Sequence, residues 1–142
     1  MITLYTWTTP NGRKPAIMLE ELGWEYEAKG INIGKDEQFA PDFLKVSPNN
    51  KIPAIVDHDA EGGPISIFES GAILTYLAEK SGQFLAPSSH ARFKALEWLH
   101  WQIGGLGLFL VRESSDELQY HHDRASGWNE LVAIKREATA DV

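Results

Sequence analysis

The chain has 142 residues, is 43% hydrophobic and 23% charged, and carries a formal net charge of −7. That length holds one core, or one small domain and part of another, and the acidic balance argues against a general nucleic-acid binder, which needs a basic surface to displace counterions. There are no cysteines, which excludes a disulfide framework, a Cys-ligated zinc site and a protein thiol nucleophile, so any sulfur chemistry must use a sulfur carried by the ligand.

No apolar run approaches the roughly 20 residues that cross a bilayer. The N-terminus, MITLYTWTTPNG, shows no signal-peptide pattern. The expectation is a cytoplasmic protein that engages neither membrane nor nucleic acid.

In chain order, Ile2–Thr6 is rich in strand formers and predicts a buried first strand. Thr8–Gly12 is a turn cluster. A helix follows over about Arg13–Leu22, with Ile17, Met18, Leu19 and Leu22 on its apolar side, Pro15 in its first turn and Gly23 ending it. Tyr26–Ile33 predicts a second strand, Gly34–Gln38 a polar loop and Pro41–Val46 a short helix. Pro53–Val56 and Ile65–Phe68 predict a hairpin across His58–Pro64, where Gly62-Gly63-Pro64 supplies turn residues. Glu69–Lys80 is a third helix, its apolar stripe including Ile73, Leu74, Leu77 and Ala78, closed by Gly82.

The order β-α-β-α-β-β-α predicts an α/β sandwich on a mixed sheet, the thioredoxin-like pattern. Its first two strands should run parallel and its last two antiparallel. This domain spans residues 1–82, and residues 83–89 read as a linker. Residues 90–142 read as an incomplete all-α segment. It begins with an apolar helix from His90 to about Arg112, in which Gly104, Gly105 and Gly107 predict close approach of another backbone. Within Leu108–Val142, Glu130–Glu137 is a possible further helix.

Two stretches carry the chemistry. In Ser47–Ala54, SPNNKIPA, the Ile52-Pro53 bond is a candidate cis peptide, and a bend there would leave the backbone of Ile52 free to pair with an extended peptide. Glu69-Ser70-Gly71 opens a helix, whose unpaired N–H groups and partial positive charge favour a carboxylate. A strand edge beside a carboxylate seat suggests a small peptide ligand. Asn49-Asn50 reads as a turn. The histidines show no metal-ligand spacing, Gly104–Gly107 is no phosphate loop, and Trp98 and Trp101 suit a core or a dimer contact. No metal is expected.

Residues 1–107 resemble the glutathione transferases, within them the bacterial glutathione-dependent disulfide-bond oxidoreductases. The words that carry the resemblance are TPNGRK (Thr9–Lys14), SPNNKIPAIVD (Ser47–Asp57), FESGAILTYLAEKSG (Phe68–Gly82) and WQIGGLG (Trp101–Gly107). After Gly107 the resemblance fades, so the chain looks truncated after the start of the helical domain. The resemblance implies glutathione as co-substrate, a small disulfide or electrophile as second substrate, and a homodimer formed through the long helix. Thr9 and Asn11 match residues placed near the glutathione sulfur. Ile52 and Pro53 match residues that pair with its cysteinyl backbone, Glu69 and Ser70 those that hold its γ-glutamyl group, and Gln38 and Lys51 those near its glycyl carboxylate.

Each residue also has a plainer reading. Thr9 and Asn11 are ordinary turn and capping types, Ile52-Pro53 an ordinary strand start, Glu69-Ser70 an N-cap pair, and Gln38 and Lys51 solvated side chains. Tyr5 lies within the first strand and reads as core, not as a hydroxyl that holds sulfur. Three functions stand open: a glutathione-dependent disulfide reductase or transferase, a non-catalytic glutathione-binding module, and an inactive truncated transferase.

Overall fold

The computed structural model describes residues 1–105, 117–122 and 129–134. The strand β1 (Ile2–Thr6) is one of two inner strands of the first unit, Met1–Leu96. It is followed by helix α1 (Pro10–Leu22), strand β2 (Tyr26–Gly30), two short 3-10 turns, helix α2 (Pro41–Val46), strands β3 (Ala54–Asp57) and β4 (Ile65–Phe68), and helix α3 (Ser70–Ser81). The sheet order is β2-β1-β3-β4. β1 runs parallel to β2 and antiparallel to β3, and β3 and β4 form the hairpin. This is the expected thioredoxin-like order.

Alternation along β1 separates two layers. Ile2 and Leu4 join Met18 and Leu19 of α1, Ile55 of β3, and Ile73, Leu77 and Ala78 of α3 in one core. Most of these side chains are fully buried, each contributing about 1.5–3 kcal/mol. Tyr5 points the other way, its ring centroid 5.9 Å from that of the buried Phe43 in α2. The half-buried ring thus packs against α2 and lies outside the core cluster that the sequence had it join.

Several boundaries differ from expectation. α1 starts at Pro10, three residues before Arg13, because Thr9 caps it and Pro10 takes the first helical position, where a missing N–H costs little. Pro15 therefore lies inside the helix and not in its first turn. Ile17 is 59% exposed and does not share the buried side of Met18 and Leu19. β2 stops at Gly30, and the Gly34–Gln38 stretch is partly 3-10 helix. Gly23 and Gly82 end α1 and α3 in the left-handed conformation, with φ of 65° and 68°, as glycine at that position permits.

The second unit begins at Glu97. Helix α4 (His90–His100) passes into a π-helical turn at Trp101–Gly105, and the rest of the expected helix, to Arg112, lies outside the described residues. Among the described residues a Cβ on Gly104 would meet nothing within 4 Å, and Gly107 lies outside them. Glu117–His122 and Asn129–Ile134 form antiparallel strands β5 and β6. The helix expected over Glu130–Glu137 is a strand as far as Ile134, in keeping with the β-branched Val132 and Ile134 in its sequence. Among the described residues no helix is long and apolar enough to cross a membrane.

A buried carboxylate ties α3 to β3. Asp57, fully buried, accepts hydrogen bonds from the Tyr76 hydroxyl at 2.6 Å and from Lys80, and its other oxygen accepts the Asp59 N–H at 3.0 Å. Burial alone would push the Asp57 carboxyl up, but the bonds from Lys80 and Tyr76 outweigh it and hold the group below its usual range. Burial, then the Asp57 bond, pushes the Tyr76 phenol up to about 12. The depressed carboxylate contributes stability above its unfolded pKa that is lost as pH falls through its folded value. The raised phenol contributes stability below its unfolded pKa that is lost as pH rises through about 12. Tyr76→Phe is expected to cost about 1.5–3 kcal/mol in urea unfolding at neutral pH. The deficit should narrow both in acid and above about pH 10. A deficit that stays constant from pH 3 to 11, on the order of the whole range in which these groups titrate, would rule the network out as its source.

Candidate functional site

The strand register brings separate parts of the sequence to one end of the sheet. Tyr5 is the partner of Ala54, and Ala54 is the partner of Phe68. One step further along each strand, Thr6, Pro53 and Glu69 therefore follow side by side. β1 leads through Trp7–Thr8 into the N-terminus of α1, and β4 leads through Glu69 into the N-terminus of α3. Two helix N-termini and the entry to β3 share this rim. Unpaired N–H groups and the positive ends of both helices make it favourable for anions.

Thr9 is the N-cap of α1, and its hydroxyl oxygen accepts the Gly12 N–H at 3.0 Å. Because the oxygen accepts within the helix, its proton is free to be donated elsewhere. Asn11 is exposed, and its Oδ1 accepts from Lys14 Nζ at 2.8 Å, which leaves the amide N–H groups available as donors. Burial holds the Lys14 amine below its ordinary range. Gly12 is the position in this turn that admits no side chain. A Cβ there would lie 2.5 Å from Trp7 O and 2.6 Å from Thr6 Oγ1.

The Ile52–Pro53 peptide bond is cis. Ile52 is half-buried, Pro53 is buried, and Ile52 N–H and C=O make no backbone hydrogen bond among the described residues. The preceding turn is tightly built. Asn50 N–H donates to Ser47 O at 2.9 Å, with Pro48 at the position where a β-turn favours proline. The buried Ser47 hydroxyl donates to Lys51 O at 2.8 Å. Lys51 itself is exposed.

Ser70 opens α3 and is buried, while Glu69 is exposed. Glu69 has φ 72° and ψ 119°, and its side chain does not cap the helix. Such a backbone costs a non-glycine residue about 1–3 kcal/mol, a strain that clusters at ligand sites. Asn49 Nδ2 donates to Glu69 Oε1 at 3.3 Å, joining the Ser47–Lys51 turn directly to the α3 entry.

Gln38 stands apart. It lies in the 3-10 turn Glu37–Phe39, its Nε2 donates to Asp36 Oδ1 at 3.4 Å, and its Oε1 is shielded and without a partner. No hydrogen bond joins it to the other candidate residues among those described. Asn49 and Gly12 were not marked as site residues from the sequence. Asn-Asn after Ser-Pro signals a turn, and nothing local shows that the turn reaches Glu69. A groove of 610 Å³, lined by Met1, Ile2, Trp24, Asp57 and Lys80 among others, lies at the opposite end of the sheet.

A family model described as the glutathione S-transferase N-terminal domain matches residues 1–79. The chain belongs to the glutathione S-transferase family. It is 56% identical over 138 residues to the disulfide-bond oxidoreductase YfcG of Escherichia coli K12, covering 96% of this chain and 61% of that protein. It is 49% identical over 109 residues to the disulfide-bond oxidoreductase YghU of the same organism, covering 72% of this chain and 38% of that one. The likeness to YfcG thus runs past Gly107, where the motif resemblance fades. Among solved structures, a glutathione transferase family member from Pseudomonas fluorescens with two glutathione bound superposes with TM-score 0.73 at 55% identity, over 75% of this chain and 48% of that one. A glutathione transferase from Pseudomonas putida, with one glutathione disulfide bound per subunit, gives TM-score 0.72 at 51% identity, over 75% and 47%. The chain spans about half the length of the solved relatives it matches.

The strain at Glu69 is open to test. Glu69→Gly removes the Cβ that the backbone conformation disfavours, whereas Glu69→Ala keeps it. In urea unfolding the glycine variant should be more stable than the alanine variant by about 1 kcal/mol, despite the greater freedom of glycine in the unfolded chain. An alanine variant of equal or greater stability would show that the position is unstrained.

Proposed function

We propose that this chain binds glutathione at the rim and uses the bound tripeptide for thiol–disulfide exchange. The observation that carries the reading is the Tyr5–Ala54–Phe68 register, which sets the Thr9 cap, the unpaired backbone of Ile52 and the α3 entry side by side. The names and bound ligands of the relatives support the same reading.

In this reading residues 1–82 are the glutathione-binding domain, 83–89 the linker and 90–142 a second segment, which opens with α4 and also holds strands β5 and β6. Ile52 N–H and C=O pair with the cysteinyl backbone as a strand would, with Pro53 fixing the bend. Glu69 faces the γ-glutamyl ammonium, and Ser70 with the α3 N–H groups holds the adjacent carboxylate. Gln38 and Lys51 serve the glycyl carboxylate. The sulfur then falls near the α1 N-terminus, where the Thr9 hydroxyl and the Asn11 amide donate to it. A free thiol has a pKa of about 8.5, so donors and a helix N-terminus raise the ionised fraction at neutral pH.

The chemistry follows from the absence of cysteine. The thiolate of one glutathione attacks a disulfide sulfur, forming a mixed disulfide and releasing the other half as thiolate, which takes up a proton. A second glutathione, losing its proton, attacks the mixed disulfide. Glutathione disulfide forms and the second half leaves as a thiol. Two glutathione thiols are oxidised and one disulfide is reduced, with no electrons left over.

With hydroxyethyl disulfide and glutathione, Thr9→Ala and Asn11→Ala are each expected to lower kcat by about tenfold or more. Thr9→Ser, which keeps both cap and hydroxyl, should retain most activity. Equal turnover by the unmutated chain and the double alanine variant would refute the catalytic reading. A second reading is a glutathione-binding module without turnover. Calorimetric binding of glutathione without turnover is its signature.

The same family reading makes the protein cytoplasmic and homodimeric through α4. Phe93 and Trp98 on α4 and Trp101 in the turn beyond are 70%, 63% and 52% exposed. Sedimentation should show a concentration-dependent dimer, weakened by Phe93→Glu. A clean monomer at working concentration would remove the dimer from the reading.

A further inference from the structure

The position before α3 is an unusual place for glutamate. N-caps are ordinarily Ser, Thr, Asp or Asn, whose short side chains reach back to the first-turn N–H groups. Glu69 makes no such bond and sits in a backbone conformation that disfavours any side chain. Its carboxylate is therefore not spent on the helix. The contact its side chain does make among the described residues comes from Asn49, whose amide donates to Oε1 at 3.3 Å and leaves Oε2 open.

Asn49 is itself held. It is the third residue of the turn closed by Asn50 N–H on Ser47 O, stiffened by Pro48, and pinned at its far side by the buried Ser47 hydroxyl on Lys51 O. The next residue, Asn50, has φ 48°, a left-handed conformation that asparagine tolerates better than most residues. The same turn leads directly into Ile52 and Pro53. One rigid loop thus sets both the strand edge at Ile52 and the direction of the carboxylate at Glu69.

We propose that Asn49 is a positioning residue for the amino end of the peptide ligand. It fixes one oxygen of Glu69 so that the other meets the ligand's ammonium at a set distance from the Ile52 edge. The inference rests on the glutathione reading above and adds a residue to it. Its consequence is selectivity: Asn49 should matter only for ligands that carry the γ-glutamyl group. A longer carboxylate side chain left unheld would sample several rotamers and lose that register at a cost in side-chain entropy on each binding event.

The test compares glutathione with cysteinylglycine, which keeps the cysteinyl backbone and glycyl carboxylate and lacks the γ-glutamyl group. By calorimetry, Asn49→Ala should weaken glutathione about three- to tenfold and leave cysteinylglycine unchanged. In a Glu69→Gln background the further loss from Asn49→Ala should shrink to less than about twofold, the mark of two residues acting together. In turnover the Asn49→Ala loss should appear in the KM for glutathione with kcat little altered. Thermal unfolding of each variant checks that the exposed turn still folds. Equal losses for both ligands would make Asn49 a general brace of the Ile52 turn and overturn the proposal, as would no loss for glutathione. An unmutated chain that binds neither ligand would overturn the glutathione reading and this inference together.

Discussion

The row of backbone partners Tyr5–Ala54–Phe68 is the constraint on which the rest depends. Side-chain direction in a strand has period two, so a slip of one residue in either pairing would turn a whole strand inside out. Ile55 would leave the core, and Ala54, fully buried between two strands, would take its place. The core therefore enforces the register. The register in turn decides which residues emerge together past the ends of the strands. The candidate site is a by-product of packing in a definite sense: the same hydrophobic choices that bury Leu4 and Ile55 bring Thr9, Ile52 and Glu69 to one rim.

The Asp57 network works toward the same end from the other side of the domain. α3 has its N-terminus at the rim and its Tyr76 and Lys80 on Asp57, at the end of β3 remote from it. Rotation or sliding of α3 along the sheet would break a buried charge pairing, and an uncompensated buried carboxylate is expensive. The strained entry at Glu69 can persist because the helix behind it is held by both this network and the packing of Ile73 and Leu77. Strain at the rim and rigidity behind it belong together.

Much of this was legible because local chemistry and global fold agree. β4 at Ile65–Phe68 and α2 at Pro41–Val46 fall where hydrophobic pattern and flanking residues place them, and Gly23 and Gly82 stop their helices as left-handed caps. The cis bond at Ile52-Pro53 was a candidate from the dipeptide alone. What escaped notice needed information from elsewhere in the chain. Thr-Pro-Asn-Gly reads as a turn, yet Thr9 and Pro10 are also an ideal helix opening, and packing behind α1 decides for the helix. Gly12 is required by the closeness of Trp7 O and Thr6 Oγ1, a contact between residues that sequence spacing does not juxtapose. The strand at Asn129–Ile134 sets Asn129 and Glu130 before a four-residue apolar run with no clear period, so propensity alone did not choose between helix and strand.

A chain without cysteine places an unusual demand on this geometry. An enzyme with its own thiol fixes the nucleophile covalently and can let the rest of the substrate move. In the proposed reading the reacting sulfur belongs to the tripeptide, and its position relative to Thr9 and Asn11 is only as good as the grip on the other residues of the ligand. Misplacement of about 1 Å can cost two orders of magnitude in rate. Exposed dipoles and single charges, worth about 0.3–1 kcal/mol each, cannot supply that grip one at a time. A strand edge, a helix entry and a braced carboxylate can, provided they are mutually rigid. On that reading the requirement accounts for a short loop, stiffened by Pro48 and Pro53 and closed by the buried Ser47 hydroxyl on Lys51 O, between the two ends of the candidate site. If the proposed reading holds, the loop's stiffness, more than any one of its side chains, lets a borrowed sulfur stand in for a residue.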